Sequence, residues 1–100
     1  MNDTKWDEIR LAMSNYLINR QWRTKNIETG FICPWDEEWY YHFKLGGYKT
    51  IEWLEIKAET DEIKKDLLKI LKSIHVPREF FDDVFKVYGY VEIGKFIDYL

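Results

Sequence analysis

The chain has 100 residues, of which 46% are hydrophobic, and its 18 acidic and 15 basic side chains give a net charge of −3. This length suits a single domain over residues 1–100 and excludes large cofactor folds such as the (β/α)8 barrel, which needs about 250 residues. No apolar run approaches the ~20 residues of a membrane-spanning helix, and the polar, acidic N-terminal residues lack the pattern of a secretory signal. The single cysteine, Cys33, excludes a disulfide framework and suits a reducing compartment, so we expect a cytoplasmic protein without a membrane partner.

Charge is distributed unevenly along the chain. Residues 28–62 hold nine acidic and three basic side chains, whereas residues 63–78 hold one acidic and five basic ones. General binding to nucleic acid depends on a surplus of Lys and Arg against phosphate, and the chain as a whole has none. A nucleic-acid partner is therefore not expected.

Apolar residues recur at steps of three and four in two segments, which predicts helices over residues 4–19 and 60–74. Asp3 or Thr4 is the expected N-cap of the first helix, and His75-Val76-Pro77 ends the second. The two apolar stripes consist of Trp6, Ile9, Met13, Tyr16 and Leu17 in the first helix and of Ile63, Leu67, Ile70, Leu71 and Ile74 in the second.

Between and after the helices, the pattern changes to the alternation of β strands. Gly46-Gly47 predicts a hairpin loop, and the apolar residues of the following strand switch face midway, which indicates a bulge or burial on both sides. Pro34 is expected to stop a short strand because proline cannot donate to a ladder. The predicted strands cover residues 21–27, 31–33, 39–43, 48–57 and 84–91, with a turn over 79–83 and a short closing helix over 92–100 that Gly94 weakens.

This order of elements, α-β-β-β-β-α-β-α, predicts an α+β domain. Its mainly antiparallel sheet of four to five strands is expected to have two amphipathic helices on one face. The pleat then sends alternate side chains to the uncovered face. That face is predicted to be rich in tyrosine and carboxylate, with Tyr40, His42, Tyr88, Tyr90, Glu52 and Glu55 on it and the acidic run Asp36, Glu37 and Glu38 beside it.

Two interpretations of this face remain open. Tyrosine is enriched at protein interfaces, and a contiguous aromatic patch on a small domain is typical of an interaction site. A ladder of tyrosines also stabilises a sheet by cross-strand packing alone. The face therefore predicts either a docking surface or a structural feature.

Catalysis is the weaker hypothesis. On a strand, Glu38 and His42 share a face, so a carboxylate and an imidazole can converge on a divalent metal or form an acid–base pair. Metal sites generally have three protein ligands, and this pattern supplies two. None of the phosphate-cradling, dinucleotide, zinc-protease or serine-hydrolase motifs occurs. We therefore expect no cofactor, and an enzyme is not favoured.

Four segments of the sequence are distinctive: Trp22-Arg23-Thr24-Lys25, Trp39-Tyr40-Tyr41-His42-Phe43, Gly46-Gly47-Tyr48 and Ile51-Glu52-Trp53-Leu54-Glu55-Ile56. Together they resemble a family of small stand-alone bacterial proteins of unassigned function. The resemblance covers most of the chain, and it implies no activity, cofactor or catalytic residue. In size and surface, the sequence is also similar to bacterial toxin-immunity proteins, a looser analogy.

The sequence thus favours a non-catalytic protein-binding domain, with an immunity protein or inhibitor as the most specific form of that hypothesis. The acidic 28–62 segment predicts a basic partner such as a toxin or nuclease, because opposite charges speed encounter and aromatic anchors supply binding energy. The alternatives are a homodimer formed through the aromatic face and a small metal-dependent enzyme or ligand binder around Glu38 and His42.

Overall fold

The computed structural model describes residues 1–45, 47–90 and 98–99, the last two by their backbone alone. Its five strands form one antiparallel sheet in the order β1-β2-β4-β3-β5, which confirms the predicted α+β class. The elements are α1 (Asp3–Ser14), β1 (Trp22–Asn26), β2 (Ile51–Lys57), α2 (Asp61–Ile74), β3 (Pro77–Phe81), β4 (Val84–Tyr88) and β5 (Asp98–Tyr99).

Both helices start with a side-chain cap, as the composition of their first turns suggests. In α1 the cap is Asn2, whose side chain accepts a hydrogen bond from the amide of Lys5, so the prediction of Asp3 or Thr4 was wrong by one or two positions. In α2 the side chain of Thr60 accepts a hydrogen bond from the amide of Ile63 and caps the helix. His75 then closes α2 in the left-handed conformation, at φ 61°.

The first helix is shorter than predicted because its apolar stripe stops early. Met13 is the last buried residue of α1, and the helix ends at Ser14. Leu17 is fully exposed, and Tyr16 lies beyond the helix, where its hydroxyl donates to Asp66 of α2 (2.7 Å). Burial and this hydrogen bond raise the pKa of Tyr16 to about 12. Tyr16 therefore connects the 15–19 segment to α2 by a polar contact, while its ring packs at the margin of the core.

The core lies between the two helices and one face of the sheet. The helices contribute Ile9, Met13, Leu67 and Leu71, each almost fully buried, and the sheet contributes Leu54, Ile56, Phe85 and Val87. Burial of an aliphatic side chain of this size stabilises the fold by about 1.5–3 kcal/mol before entropy is counted. The predicted placement of both helices on one face is confirmed.

The switch of face that the sequence indicates in β2 is an irregularity in its pairing with β1. Lys25 pairs with Trp53 and the next residue, Asn26, pairs with Ile51, so Glu52 has no partner in this ladder. Trp53 and Leu54 are consecutive and both buried, which requires cover on both faces of the strand at that point.

The predicted strand over 39–43 was wrong, because this segment forms consecutive turns. Trp39 and Phe43 are both buried, and Tyr41, midway between them, is exposed. In a strand all three side chains would share one face, so the exposure of Tyr41 between two buried neighbours fits a helical turn instead. The predicted 31–33 strand is likewise reduced to one isolated bridge, between Ile32 and Lys25.

The structure has a strand, β3, where the sequence predicted only a turn over residues 79–83. Charged Arg78 and Glu79 obscure the apolar alternation of β3, although Arg78 is buried. The turn itself consists of Asp82 and Asp83, both with positive φ, a combination that suits a tight hairpin. The helix predicted over 92–100 falls mainly on residues outside the described part, and Asp98–Tyr99 pair as a strand with Pro77 and Arg78.

Candidate functional site

The segment 36–45, which we call the aromatic loop, carries the largest concentration of predicted site residues. Tyr40, Tyr41 and Leu45 are 49%, 74% and 81% exposed. The two tyrosine rings meet edge to face, with their centroids 5.0 Å apart. Large apolar side chains exposed side by side are uncommon on a small domain and are typical of an interaction site. The loop is therefore the strongest candidate for a functional surface.

Buried aromatic residues anchor the loop from below. The ring of Phe43 lies 5.2 Å from the ring of Trp39 and 5.2 Å from that of Trp22. The indole nitrogen of Trp39 donates to the carbonyl of Arg20, and that of Trp22 donates to the carbonyl of Glu38. Both indole N–H groups are thus satisfied inside the core, so the ends of the loop are held in place.

Two carboxylates of the acidic run hold the backbone of the loop instead of pointing to a partner. Glu38 accepts hydrogen bonds from the amides of Tyr40 (3.1 Å), Tyr41 (2.7 Å) and His42 (2.7 Å). Asp36 accepts from the amide of Glu38 (2.8 Å) through one oxygen and contacts the imidazole Nδ1 of His42 (3.0 Å) through the other. These carboxylates act as local caps, in the manner of side chains that close a turn.

A buried cation supports the exposed tyrosine from the helix side. Arg10 of α1 donates to the carbonyl of Tyr40 (2.7 Å), and its guanidinium lies 4.7 Å from the centroid of the Tyr40 ring. Asp7 contacts Arg10 (3.4 Å) and accepts from the hydroxyl of Tyr48 (2.5 Å). That hydroxyl lowers the pKa of Asp7, while burial and the same bond raise the pKa of Tyr48 to about 12. The network links α1 to the loop.

The remaining predicted site residues do not join the loop in a single surface. Tyr88 lies on β4, on the sheet face away from the helices, and Tyr90 follows that strand, where its hydroxyl donates to the carbonyl of Lys49. Tyr40 and His42 are not on the sheet at all. The predicted tyrosine ladder across the sheet was therefore wrong, because the strand that was to carry Tyr40 and His42 does not form.

The uncovered face of the sheet is ion-paired rather than acidic. Glu55 lies between Arg23 (2.6 Å) and Lys86 (3.7 Å), and Glu52 contacts Lys25 (3.3 Å). The prediction that Glu52 and Glu55 face a basic partner overlooked these neighbours. Their positions follow from strand register, since Glu55 pairs with Arg23 on β1 and with Lys86 on β4.

Two tryptophans on this face, Trp35 and Trp53, are in contact with basic side chains. Trp35 lies 4.6 Å from both the Arg23 guanidinium and the Lys57 ammonium, and Lys86 lies 4.6 Å from the ring of Trp53. Such contacts stabilise by about 0.5–1 kcal/mol each at partly exposed sites. The bases at alternate positions of β1, Arg23 and Lys25, were a signal that the sequence offered and that our prediction did not use.

The metal hypothesis finds no assembled donor set in the described residues. The carboxylate of Glu38 is occupied by three amides, and His42 contacts Asp36 instead. Over residues 1–45, 47–90 and 98–99, no three His, Cys, Asp or Glu side chains come together in a way that can hold an ion.

Acid is expected to destabilise the aromatic loop. The amide of His42, followed by those of Tyr41 and Tyr40, holds the pKa of Glu38 below its ordinary value of 4.5. For Asp36, burial opposes the shift, but the amide of Glu38 and the imidazole of His42 hold its pKa below 3.8. Because both values are lower in the folded chain, this stabilisation is present above about pH 4.5 and is lost as pH falls through the folded pKa values.

Urea unfolding between about pH 6 and pH 3 measures this effect, since the midpoint reports stability at each pH. We expect the variant Glu38→Gln to show a smaller loss of stability on acidification than the wild type. Glu37→Gln is the matched control, because Glu37 is exposed and should leave the pH dependence unchanged. Equal pH dependence in both variants would contradict the capping role of Glu38.

These features define a class: a small α+β domain with an anchored, solvent-exposed aromatic loop. Within it, the chain belongs to a family of unknown function (DUF6678), whose model matches residues 1–94. This confirms the resemblance to a small family of unassigned function. The comparisons with curated proteins and with solved structures give no match. Among the described residues, neither helix has the length and apolar character needed to cross a bilayer.

Proposed function

We propose that this chain is a non-catalytic protein-binding domain that contacts its partner through the aromatic loop. The observation that carries the proposal is the exposure of Tyr40, Tyr41 and Leu45 on a backbone held by Glu38 and Arg10. A few aromatic residues dominate the energy of typical interfaces, and tyrosine contributes a large contact area at low entropy cost.

The rigidity of the loop supports binding rather than a loose surface turn. Phe43 and Trp39 fix its core side, each 3% exposed. The amides of Tyr40 and Tyr41 are bonded to Glu38, so little backbone freedom is left to lose on association. Binding energy from the exposed rings is then not offset by the cost of ordering the loop.

The partner that suits this loop is basic. Asp36 and Glu38 have pKa values held below their ordinary range, so both carboxylates are charged near neutral pH, and Glu37 is exposed between them. Negative charge next to aromatic anchors speeds encounter with a positively charged protein and suppresses acidic competitors. An immunity protein or inhibitor of a basic toxin or nuclease is the most specific form of the proposal, and the free thiol of Cys33 fits a cytoplasmic setting.

The test compares Tyr41→Ala with Phe81→Ala in binding to the purified products of the neighbouring genes. Tyr41 and Phe81 are similarly exposed, at 74% and 76%, but Phe81 lies on β3, outside the loop. We expect Tyr41→Ala to weaken binding by about 1–2 kcal/mol, close to tenfold, and Phe81→Ala to leave it unchanged. Isothermal titration calorimetry measures both affinities, and circular dichroism checks that both variants fold.

Two results would contradict the proposal. If Phe81→Ala weakens a complex and Tyr41→Ala does not, the binding surface lies elsewhere on the domain. If sedimentation shows the wild type dimerising and Tyr41→Ala monomeric, the loop joins two copies of this chain and the homodimer hypothesis replaces the proposal. Rising ionic strength should also slow association with a basic partner, because salt screens the attraction between exposed charges.

A further inference from the structure

A cleft of about 560 Å³ opens on the side of the aromatic loop that faces β1. One wall is the 31–36 segment, which runs beside β1 and bonds to it at both ends: Asn26 donates to the carbonyl of Phe31, and Trp22 and Asp36 exchange backbone bonds. The other wall is formed by parts of the 42–51 segment. Its volume lies within the range of about 300–1,000 Å³ that is usual for small-ligand sites.

The cleft has an apolar floor and an apolar mouth. Trp22, Phe43 and Ile51, all buried, form the floor, while Phe31 and Leu45 line the same cleft and are 63% and 81% exposed. Exposed apolar side chains on opposite walls of a cleft lose water contact when a ligand enters between them. Aromatic residues in the floor suit a flat ring.

The polar lining of the cleft includes a carboxylate and an imidazole that contact each other. Asp36 and His42 both line the cleft, and their contact joins the carboxylate to imidazole Nδ1 (3.0 Å). The proton of a neutral imidazole is then on Nδ1, facing the carboxylate, which leaves Nε2 as an acceptor. Since His42 is exposed, this acceptor is accessible to a ligand that carries an N–H donor.

We propose that this cleft binds a planar nitrogen heterocycle with N–H donors on its edge, the chemistry of a nucleobase. The flat ring packs against the aromatic floor and between Phe31 and Leu45, and an edge N–H donates to Nε2 of His42. The cleft shares Leu45 with the proposed protein-binding surface, but Tyr40 and Tyr41 do not line it. Its test needs no protein partner, so the two proposals succeed or fail independently.

The experiment is an NMR titration of the 15N-labelled chain with adenosine, followed at the indole N–H of Trp22 and the amide of Cys33, since both residues line the cleft. A matched ligand, 6-dimethylaminopurine riboside, keeps the ring but lacks the exocyclic N–H donors. We expect adenosine to produce saturable shifts at these reporters and the dimethylated riboside to bind about fivefold more weakly, because one hydrogen bond to the ligand is lost. Ribose alone should produce none.

A protein variant then identifies the acceptor. His42→Ala should weaken adenosine about fivefold and leave the dimethylated riboside unaffected, whereas His75→Ala, a change at an exposed histidine outside the cleft, should affect neither. Tyr41→Ala should also leave adenosine binding unchanged. Absence of saturable shifts, equal affinity for both ribosides, or equal affinity in the wild type and His42→Ala would overturn the proposal. Stronger binding of N-acetyltryptophanamide than of adenosine would assign the cleft to a protein side chain instead and would equally overturn it.

Discussion

Replacing Phe43 by alanine is expected to lower the free energy of unfolding by about 3–5 kcal/mol, the range for removing a buried phenylalanine. Phe43 is 3% exposed and lies at the centre of a cluster of aromatic rings. Its ring centroid is 5.2 Å from those of Trp22 and Trp39, 5.8 Å from that of Tyr48 and 6.1 Å from that of Trp6. Alanine would leave a cavity that four rigid rings cannot close by small shifts. Urea unfolding measures the loss.

The same substitution at Phe81 is the control for that experiment. Phe81 is 76% exposed, so Phe81→Ala should change stability by no more than about 0.5 kcal/mol. A loss of less than about 1 kcal/mol for Phe43→Ala would contradict the anchoring of the aromatic loop in the core. Because the cluster holds the loop that carries Tyr40 and Tyr41, partial unfolding there should also reduce partner binding before the helices melt.

The second large effect is expected at Gly89, where Gly89→Ala should destabilise the fold by about 3 kcal/mol. A Cβ at this position would collide with the backbone carbonyl oxygen of Ile51 and would lie 3.1 Å from Cζ2 of Trp6. The carbonyl belongs to β2 and cannot rotate away as a side chain can. The amide of Gly89 also donates to the carbonyl of Glu52 (2.9 Å), so the strand cannot shift without losing a hydrogen bond.

Gly30→Ala is the control variant, because it replaces a glycine at a position where the added Cβ collides with nothing. Gly30 has a φ of 76°, and nothing lies within 4 Å of a Cβ built there. Its substitution should cost about 1 kcal/mol through backbone strain alone. Thermal unfolding of the two variants measures the difference, and a Gly89→Ala protein as stable as Gly30→Ala would contradict the close approach of Gly89 to the carbonyl of Ile51.

The acidic run shows most clearly why residue type did not predict role. Asp36, Glu37 and Glu38 are equivalent as sequence letters, and all three were expected to face a partner. In the structure, only Glu37 is left exposed, while Glu38 bonds three amides and Asp36 bonds an amide and an imidazole. Which carboxylate is used depends on the path of the backbone, and that path follows from the burial of Trp39 and Phe43.

The spacing of apolar residues was sufficient to predict the elements whose pattern of burial does not depend on contacts with distant residues. The apolar stripe of α2 and its end at His75 are set by residues within a few turns of each other, so the sequence alone predicted them. The strands β1, β2 and β4 and the α+β class followed in the same way. The burial of β2 on both faces was also predictable, because two consecutive apolar residues, Trp53 and Leu54, point to opposite faces of a strand.

Tertiary structure decided the features that depend on distant neighbours. Whether the 39–43 segment pairs as a strand or coils into turns depends on rings from α1 and β1 that receive Phe43, among them Trp6 and Trp22. Whether Glu55 is free depends on register, which brings Arg23 and Lys86 to it from two strands far apart in the chain. Residue type and the spacing of apolar residues determine which side chains prefer burial. Only the folded chain determines which charged side chains form ion pairs, because a contact between distant residues leaves no local pattern in the sequence.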